Sequence, residues 1–300
     1  MIDFREATAE DRDAILALRR RCFPHEDIEK QDPRFWDWEF GRGRMFVAEA
    51  EGRPVAHLGF VPQTLVVGDA RLRSMLAVDA MTDPAFRRQQ LFTRVAAFAR
   101  EALRTSLDCS TAFQIRGHVL QPMTANGWTP ALATWLLVRP LSPRTPRAFE
   151  EVSAPVDATI AESLLAPYVH VEREPAWRFA ASPRWKYAID ADGDAYVVTR
   201  RASLRGHDTL AVVDVAWRRG RVSAARALLR RALARGRAAG IRLAATLVSG
   251  AHPALPFFVK SGFMPSPYRF RLLVNVFDAR AAAALQDARW ALTWADTDHL

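Results

Sequence analysis

Four residues with side chains suited to anion binding, Arg87, Arg88, Gln89 and Gln90, stand at the start of an amphipathic stretch that the periodicity predicts to be a helix. The first backbone N–H groups of a helix have no partner within the helix, and the helix dipole favours negative charge there. Guanidinium and amide donors at this place are suited to binding a phosphate. The alternative interpretation is an ordinary helix start with solvated arginines, for which Asp83 would serve as the cap.

Other chemistry has little support in the sequence. Cys22 and Cys109 stand far apart, without a CxxC pattern or a histidine at metal spacing, so neither a zinc site nor a disulfide is expected and both are predicted to be buried free thiols. Cys109 has no base placed beside it by the sequence, and no serine or histidine arrangement predicts a covalent intermediate.

The composition is that of a folded protein with more than one core. The chain has 300 residues, of which 50% are hydrophobic and 25% charged, with a formal charge of +9. At roughly 150 residues per domain, this length predicts two domains. The apolar stretches are too short to span a membrane and the N-terminus is acidic, so we expect a cytoplasmic, soluble protein.

The positive charge raises nucleic acid as a partner. Of the 42 basic residues 39 are arginine, which is typical of codon usage in a GC-rich genome. The richest stretch, residues 218–242, has apolar residues at helical spacing and arginines on the opposite face, as in a helix with a solvated basic side. No nucleic-acid-binding motif accompanies it, so we predict no nucleic-acid partner; an anionic small molecule would also explain the charge.

The hydrophobic periodicity orders the first half of the chain. It predicts a strand near residues 2–8, a helix capped near Thr8, and a second helix from Glu26 to Phe40. A hairpin with a turn at residues 51–54 follows, and then a third long strand that ends near Asp83. Next come a helix over 86–106, a strand over 107–115 and a short helix closed by Gly127.

This order of elements resembles the GNAT acyltransferase fold. The resemblance is sharpest at VDAMTDPAFRRQQLFTRV, residues 78–95, which is similar to the family's cofactor segment, where R/Q-x-x-G-x-G/A opens a helix after a strand. The ANGW sequence at 125–128 is similar to the family's ending of the next helix. The resemblance implies an α/β fold of the α+β mixed-sheet type, with a central mixed sheet flanked by helices.

A weaker copy of the same plan follows a proline-rich segment. Strands are predicted within 195–217, a helix over Ser223 to Ala239, a strand over 241–249 and a short helix ending at Gly262 and Phe263. The layout resembles a tandem GNAT protein of the enhanced-intracellular-survival type, without a third domain. We therefore expect an N-terminal domain at 1–140 with the acyl-CoA site, a linker at 141–156, and a degenerate C-terminal domain at 157–300 with a docking tail.

The resemblance implies acetyl-CoA, or another acyl-CoA, as the cofactor. Arg87 takes the motif's first position, Gln90 falls where the family has its key glycine, and Phe92 takes the small-residue place. Backbone N–H groups of the strand at Val78 to Thr82 would hold the pantetheine arm. The residues expected to bind the cofactor are Val78, Ala80, Met81, Thr82, Arg87, Arg88, Gln89, Gln90, Leu91 and Phe92.

The second copy competes for the cofactor. There Gly220, Ser223 and Ala225 occupy the corresponding motif positions, and their small size leaves the approach open. The loop before them, residues 217–219, is bulky and strongly basic. We therefore place the cofactor in the first copy and regard the second as the alternative.

Two residues are candidates for acid–base catalysis. The resemblance implies a general base at the end of this strand, where Asp79 and Asp83 are the carboxylates available; strand alternation places Asp79 and Met81 on one face, so Asp79 is the expected base and Asp83 the expected cap. The family's thiolate acid is often a tyrosine on the last helix, and none lies between Gln114 and Trp128. His118 is the titrating side chain available there, although it would equally suit a partly exposed helix. Transfer without a dedicated acid is an alternative.

The sequence thus predicts an acyl-CoA-dependent N-acyltransferase that acts on a small-molecule amine by direct transfer, without a metal or membrane, as a monomer or homodimer. The rival is a GNAT-fold binding or structural protein that has lost catalysis, which Gln90 and the absent tyrosine favour. The tail is expected to dock on the body through Trp290 and Trp294, where Asp296 and Asp298 could meet a cationic acceptor.

Overall fold

The chain forms two compact units, each assembled from several segments. The computed structural model describes residues 1–26, 28–114, 117–142, 148–183 and 185–297, apart from the side chains of Gln114 and His118. The first unit comprises Met1–Thr64, Arg71–Ala131 and Arg271–Gln286, and the second comprises Leu65–Ala70, Leu132–Phe270 and Asp287–Leu300. The predicted division into 1–140, 141–156 and 157–300 follows sequence order, whereas these units are interleaved along the chain.

The secondary structure is mixed. The strands are β1 (Ile2–Glu6), β2 (Arg44–Ala50), β3 (Arg53–Val67), β4 (Ala70–Thr82), β5 (Cys109–Gln114), β6 (Thr129–Pro140), β7 (His170–Val171), β8 (Ala188–Ala191), β9 (Ala195–Leu204), β10 (His207–Trp217), β11 (Leu243–Leu247) and β12 (Met264–Val276). The helices are α1 (Arg12–Cys22), α2 (Pro33–Phe40), α3 (Leu91–Leu103), α4 (Gly117–Thr124), α5 (Ala158–Leu165), α6 (Val222–Ala238), α7 (Ala254–Lys260) and α8 (Ala279–Leu285). The predicted α/β class, with a mixed sheet flanked by helices, is confirmed.

In the first unit the strands follow the order β1-β2-β3-β4-β5-β12. The β4–β5 pair is parallel and the β5–β12 pair antiparallel. Residues 271–276 of β12 pair with all of β5, which explains why a late segment of the chain belongs to the first unit. The apolar face of α3 is buried on this sheet because its large residues recur at helical spacing: Leu91, Val95, Ala99 and Leu103.

One predicted helix is divided in the structure. The expected helix from Glu26 to Phe40 is a 3₁₀ turn at Ile28–Gln31 followed by α2. Pro33 cannot donate an N–H to a preceding turn, so it begins a new helix, and Asp32 caps that helix by accepting a hydrogen bond from the Arg34 N–H at 2.8 Å.

In the second unit the strand order is β6-β11-β10-β9-β8. The buried face of α6 packs on this sheet through Ala225, Leu228, Leu229, Ala232 and Leu233. The exposed face of α6 carries Arg226, Arg230 and Arg231, as the sequence pattern predicts, whereas Arg235 is largely buried and pairs with Asp190 at 2.6 Å. No described helix is long and apolar enough to cross a membrane, and within the described residues no group of three His, Cys, Asp or Glu could hold a metal ion.

Candidate active site in the first unit

The two central strands of the first unit separate at their carboxyl ends. The parallel β4–β5 ladder runs over four pairs, from Ser74–Cys109 to Ala77–Ala112. Strand β4 continues to Thr82 beyond the last of these pairs. We call the space between the separated ends the first strand gap. The predicted cofactor residues Val78, Ala80, Met81 and Thr82 are those of β4 that extend past the ladder.

Asp79 interrupts the regular pleat of β4. Its φ is +51°, a left-handed conformation that is uncommon for residues other than glycine. The strict alternation of faces expected for Val78 to Thr82 is therefore broken at this residue. The irregularity falls two residues after the ladder ends, where the strand turns away from β5.

The Asp79 side chain is part of a buried ion-pair cluster. Its carboxylate accepts a hydrogen bond from Arg19 Nη1 at 2.5 Å and lies 3.7 Å from Lys30 Nζ, which also binds Glu39 Oε1 at 2.9 Å. All four side chains are at most 8% exposed. Burial alone would raise the pKa of Asp79, but the two cations outweigh it and hold that pKa well below its ordinary value. In this arrangement Asp79 is a poor proton acceptor.

His57 on β3 supports the same irregular backbone and was not among the predicted site residues. Its Nδ1 lies 2.8 Å from the Asp79 carbonyl oxygen, so Nδ1–H donates and Nε2 carries the lone pair. Burial lowers the pKa of His57, which keeps the ring neutral, and Nε2 has no partner among the described residues. A lone histidine within the apolar run of β3 was the signal that could have identified it.

Asp83 directly follows β4 and caps the next turn. Its carboxylate accepts hydrogen bonds from the Ala85 N–H at 3.0 Å and from Arg21 Nε at 2.7 Å. Burial opposes these bonds, but together they lower the pKa of Asp83. The turn Pro84–Phe86 thus begins from a fixed position, as expected for an aspartate that caps rather than reacts.

The segment between this turn and α3 has the backbone of a glycine-rich loop without any glycine. Arg88 has φ +67° and Gln90 has φ +56°, and Gln90 is the N-cap of α3. Each left-handed residue costs roughly 1–2 kcal/mol, and such strain is concentrated at functional sites. Gln90 therefore keeps the conformation that the glycine-containing motif would require at this position.

The polar side chains of this loop are accessible to solvent. Arg87, Arg88, Gln89 and Gln90 are exposed, and among the described residues neither arginine has an ion-pair partner. Leu91 is buried and Phe92 packs partly against the core, so neither side chain covers the loop. The arrangement offers two free guanidinium groups and the start of a 13-residue helix to an anion.

The other predicted acid cannot be placed. His118 is the second residue of α4, and its side chain lies outside the described part of the chain. A further polar residue that the sequence did not suggest, Asn126, connects α3 to α4: its amide donates to the carbonyls of Thr93 at 3.1 Å and Pro122 at 2.9 Å. It fixes the first turn of α3 relative to α4.

The corresponding loop of the second unit has different surroundings. Gly220 takes the left-handed conformation there, with φ +82°, just before α6. Arg218 donates to Asp157 at 2.8 Å and Arg221 lies 3.5 Å from Asp194. Two of the three arginines of this loop, Arg218 and Arg221, are thus paired with carboxylates, and the third, Arg219, is exposed.

A parallel strand pair whose ladder ends ahead of a central helix, with an exposed arginine-rich turn before that helix, defines an α/β protein with a mixed sheet. Residues 3–116 match the family model of the acetyltransferase (GNAT) domain. Over these residues the chain is similar to the GNAT acetyltransferase domain.

Solved structures resemble nearly the whole chain in fold. A GCN5-related N-acetyltransferase from Anabaena variabilis matches with a TM-score of 0.67 and 13% identity, over 96% of this chain and 75% of its own. A probable N-acyltransferase from Enterococcus faecalis gives 0.66 and 13%, over 94% and 74%, and Eis1 from Mycobacterium abscessus gives 0.61 and 17%, over 95% and 76%. No curated protein matches the chain by sequence.

Proposed function

We propose that the protein is an acyl-CoA-dependent N-acyltransferase that uses the first strand gap and transfers an acetyl group directly to a small amine. The observation that carries this proposal is the left-handed loop at Arg88 and Gln90. Its two left-handed residues are strained, as a loop kept for function would be, and its two arginines have no ion-pair partner among the described residues.

The residues present fit acyl-CoA. Its phosphates would meet Arg87, Arg88 and the first N–H groups of α3, where the dipole favours negative charge. Its pantetheine amides would meet the backbone of β4 beyond Ala77, where the ladder with β5 has ended. The Gln90 side chain is exposed, and its amide could donate a hydrogen bond to a phosphate there.

The transfer forms a C–N bond to the amine and breaks the C–S bond of the thioester. The amine loses one proton and the departing thiolate gains one. We propose that Asp79 acts by holding the bend of β4, since its ion pair with Arg19 opposes a role as general base. The base role predicted for Asp79 and the acid role predicted for His118 stay predictions; transfer without a dedicated acid is compatible with this site.

Titration calorimetry with acetyl-CoA tests the cofactor assignment. The double variant Arg87→Ala/Arg88→Ala should raise the Kd by about tenfold or more, because charge-assisted hydrogen bonds contribute about 1.5–3 kcal/mol each. Arg219→Ala is the matched control, since Arg219 is an exposed arginine in the corresponding loop of the second unit. Equal effects of the two variants, or no binding at millimolar acetyl-CoA, would contradict the proposal.

A panel of small amines identifies the acceptor class. Sugar amines, amino acids and aminoglycosides are incubated with acetyl-CoA, and release of free CoA is followed with a thiol reagent. Turnover with any amine above the rate without acceptor supports direct transfer.

A second candidate is a GNAT-fold binding protein without catalysis. The specific observation in its favour is the neutralised Asp79 cluster, in which two carboxylates face two cations. This candidate predicts tight acetyl-CoA binding and no CoA release with any amine in the panel, a combination that the calorimetry and the panel together reveal.

A further inference from the structure

The second unit contains a strand gap like that of the first. The parallel β10–β11 ladder also runs over four pairs, from Thr209–Leu243 to Val212–Thr246. The register of β10 with β9 shifts between Val212 and Asp214, and β10 continues to Trp217. The second strand gap thus begins with an irregular strand, as the first does at Asp79.

The C-terminal residues 290–297, which we call the strap, bind the end of β11 at this gap. Thr293 forms an antiparallel bridge with Val248. The Ser249 N–H donates to the Leu292 carbonyl at 2.9 Å, and the Leu292 N–H donates to Ser249 Oγ at 3.0 Å. The strap therefore makes main-chain bonds to the residues that directly follow β11.

The strap also binds β10 on the other side of the gap. Thr293 Oγ1 donates to Asp214 Oδ1 at 3.1 Å, and Tyr196 donates to the same carboxylate at 2.9 Å. Arg173 connects the two segments, because its guanidinium pairs with Asp214 at 3.0 Å and with Asp296 of the strap. These side chains are all buried.

We infer that the strap is a built-in ligand of the second unit, which occupies the second strand gap and excludes acyl-CoA from it. The contacts to both separated strands carry this inference. The exclusion of acyl-CoA rests on the proposed function, whereas the closing of the gap does not. A peptide suits the site because the main-chain groups of Leu292 bond to Ser249, after β11, as the amides of a pantetheine arm would; beyond Thr293 the strap ends in a 3₁₀ turn.

Asp296 is the residue through which the strap can be loosened without breaking the unit. Arg173 is one cation between two carboxylates, Asp214 and Asp296. Asp296→Ala leaves Arg173 and Asp214 as a balanced pair, so no buried ion loses its last partner. The same substitution removes the bond from the Thr293 N–H, which lies 2.7 Å from Asp296 Oδ2 and closes the strap's final turn.

Two measurements on the full-length chain test the inference. Trypsin cleavage after the exposed Arg289 reports release of the strap, and it should be about tenfold or more faster in Asp296→Ala than in the wild type. Calorimetry should show one more bound acetyl-CoA per chain in Asp296→Ala than in the wild type. Asp278→Ala is the control, because Asp278 caps α8 in the first unit and should change neither quantity.

The outcomes separate this inference from the proposed function. Equal cleavage rates, or an unchanged number of bound acetyl-CoA molecules, would overturn the inference. A wild type that binds none contradicts the proposed function alone, since a gain of one in the variant still supports the strap. If Asp296→Ala does not fold, Thr293→Val is measured in the same way; it removes the hydroxyl's bonds to Asp214, Arg173 and the Ala295 N–H but leaves both ion pairs of Arg173 in place.

Discussion

The loops that precede the central helices α3 and α6 both contain a left-handed residue, but they differ in backbone strain and in the pairing of their arginines. In the first unit non-glycine residues, Arg88 and Gln90, take the strained left-handed conformation, and the arginines are unpaired among the described residues. In the second unit Gly220 takes that conformation without strain, and Arg218 is paired with Asp157. Strain and free charge are retained in the unit to which we assign the cofactor.

The buried aspartates at the two strand gaps extend this comparison. Asp79 and Asp214 each pair with an arginine, and each has a polar ring from the preceding strand beside it. The first cluster balances two cations against two carboxylates, whereas the second has one cation for two carboxylates. The surplus carboxylate of the second cluster is Asp296, which the strap contributes.

Removing the arginine of each cluster should have the largest effect on stability. Arg173→Met leaves two buried carboxylates without a cation and should cost about 3–5 kcal/mol in the free energy of unfolding. Arg19→Met should cost less, because Lys30 stays beside Asp79. Urea denaturation measures both, with Arg12→Met, at an exposed ion pair, as the control. A larger loss in the free energy of unfolding for Arg19→Met than for Arg173→Met would contradict the prediction that the second cluster depends more on its arginine.

Acid should destabilise the protein through its buried histidines. Burial lowers the pKa of His252 in the second unit from 6.5 to about 3, so the folded state keeps it neutral while the unfolded state binds a proton below pH 6.5. Its contribution to stability is therefore lost as the pH falls from 6.5 towards 3. His57 in the first unit has the same sign, since burial lowers its pKa as well.

The measurement is urea unfolding at pH 7 and pH 5. His252→Asn keeps an oxygen for the Ala254 N–H, which donates to His252 Nδ1 at 2.9 Å. It should reduce the loss of stability over this interval by about 2 kcal/mol. His207→Asn, at an exposed position, is the control and should leave the loss unchanged. An undiminished pH dependence in His252→Asn would show that other groups cause it.

Substitutions at the left-handed residues of the two loops should affect the stability of the protein to different extents. Gly220→Ala introduces strain at φ +82° without a clash, since no atom lies within 4 Å of the new Cβ, and should cost about 1 kcal/mol. Gln90→Gly relieves strain of similar size in the folded state but increases the conformational entropy of the unfolded chain. The two effects oppose each other, so the free energy of unfolding should change by less than about 1 kcal/mol. Thermal unfolding measures both variants.

Gln90→Gly also tests whether the Gln90 side chain limits the proposed cofactor site of the first unit. Because the loop is already in the glycine conformation, the Kd for acetyl-CoA should change by less than about threefold. Binding that appears only in Gln90→Gly would instead indicate that glutamine had abolished the site, which would contradict both candidate functions.

The sequence was sufficient for the elements that have a local signal. The periodicity of α3 and α6, the hairpin of β2 and β3, and the turn at Gly127 are all present as predicted. The predicted resemblance to the GNAT family is confirmed over residues 3–116. These features depend on contacts between near neighbours, whose spacing is visible in the chain itself.

What the sequence did not predict depends on contacts between distant residues. The return of β12 to pair with β5 joins residues about 160 positions apart, and no periodicity encodes such a partner. The Asp79 cluster is another case, since Arg19 and Lys30 lie on separate elements from β4. Strand alternation suggested an accessible base at Asp79 because it carries no information about these cations.

The smallest effect should come from the exposed ion pair at the loop of the second unit. Asp157→Asn removes the charge that faces Arg218. It keeps a side-chain oxygen that accepts from the Thr159 N–H, so it still caps α5. Exposed pairs contribute little, so the midpoint of urea unfolding should stay unchanged within error. The freed Arg218 should not add a second acetyl-CoA, because the strap still closes the gap beside it. A second bound cofactor in this variant would show that the paired arginines, rather than the strap, keep the second unit empty.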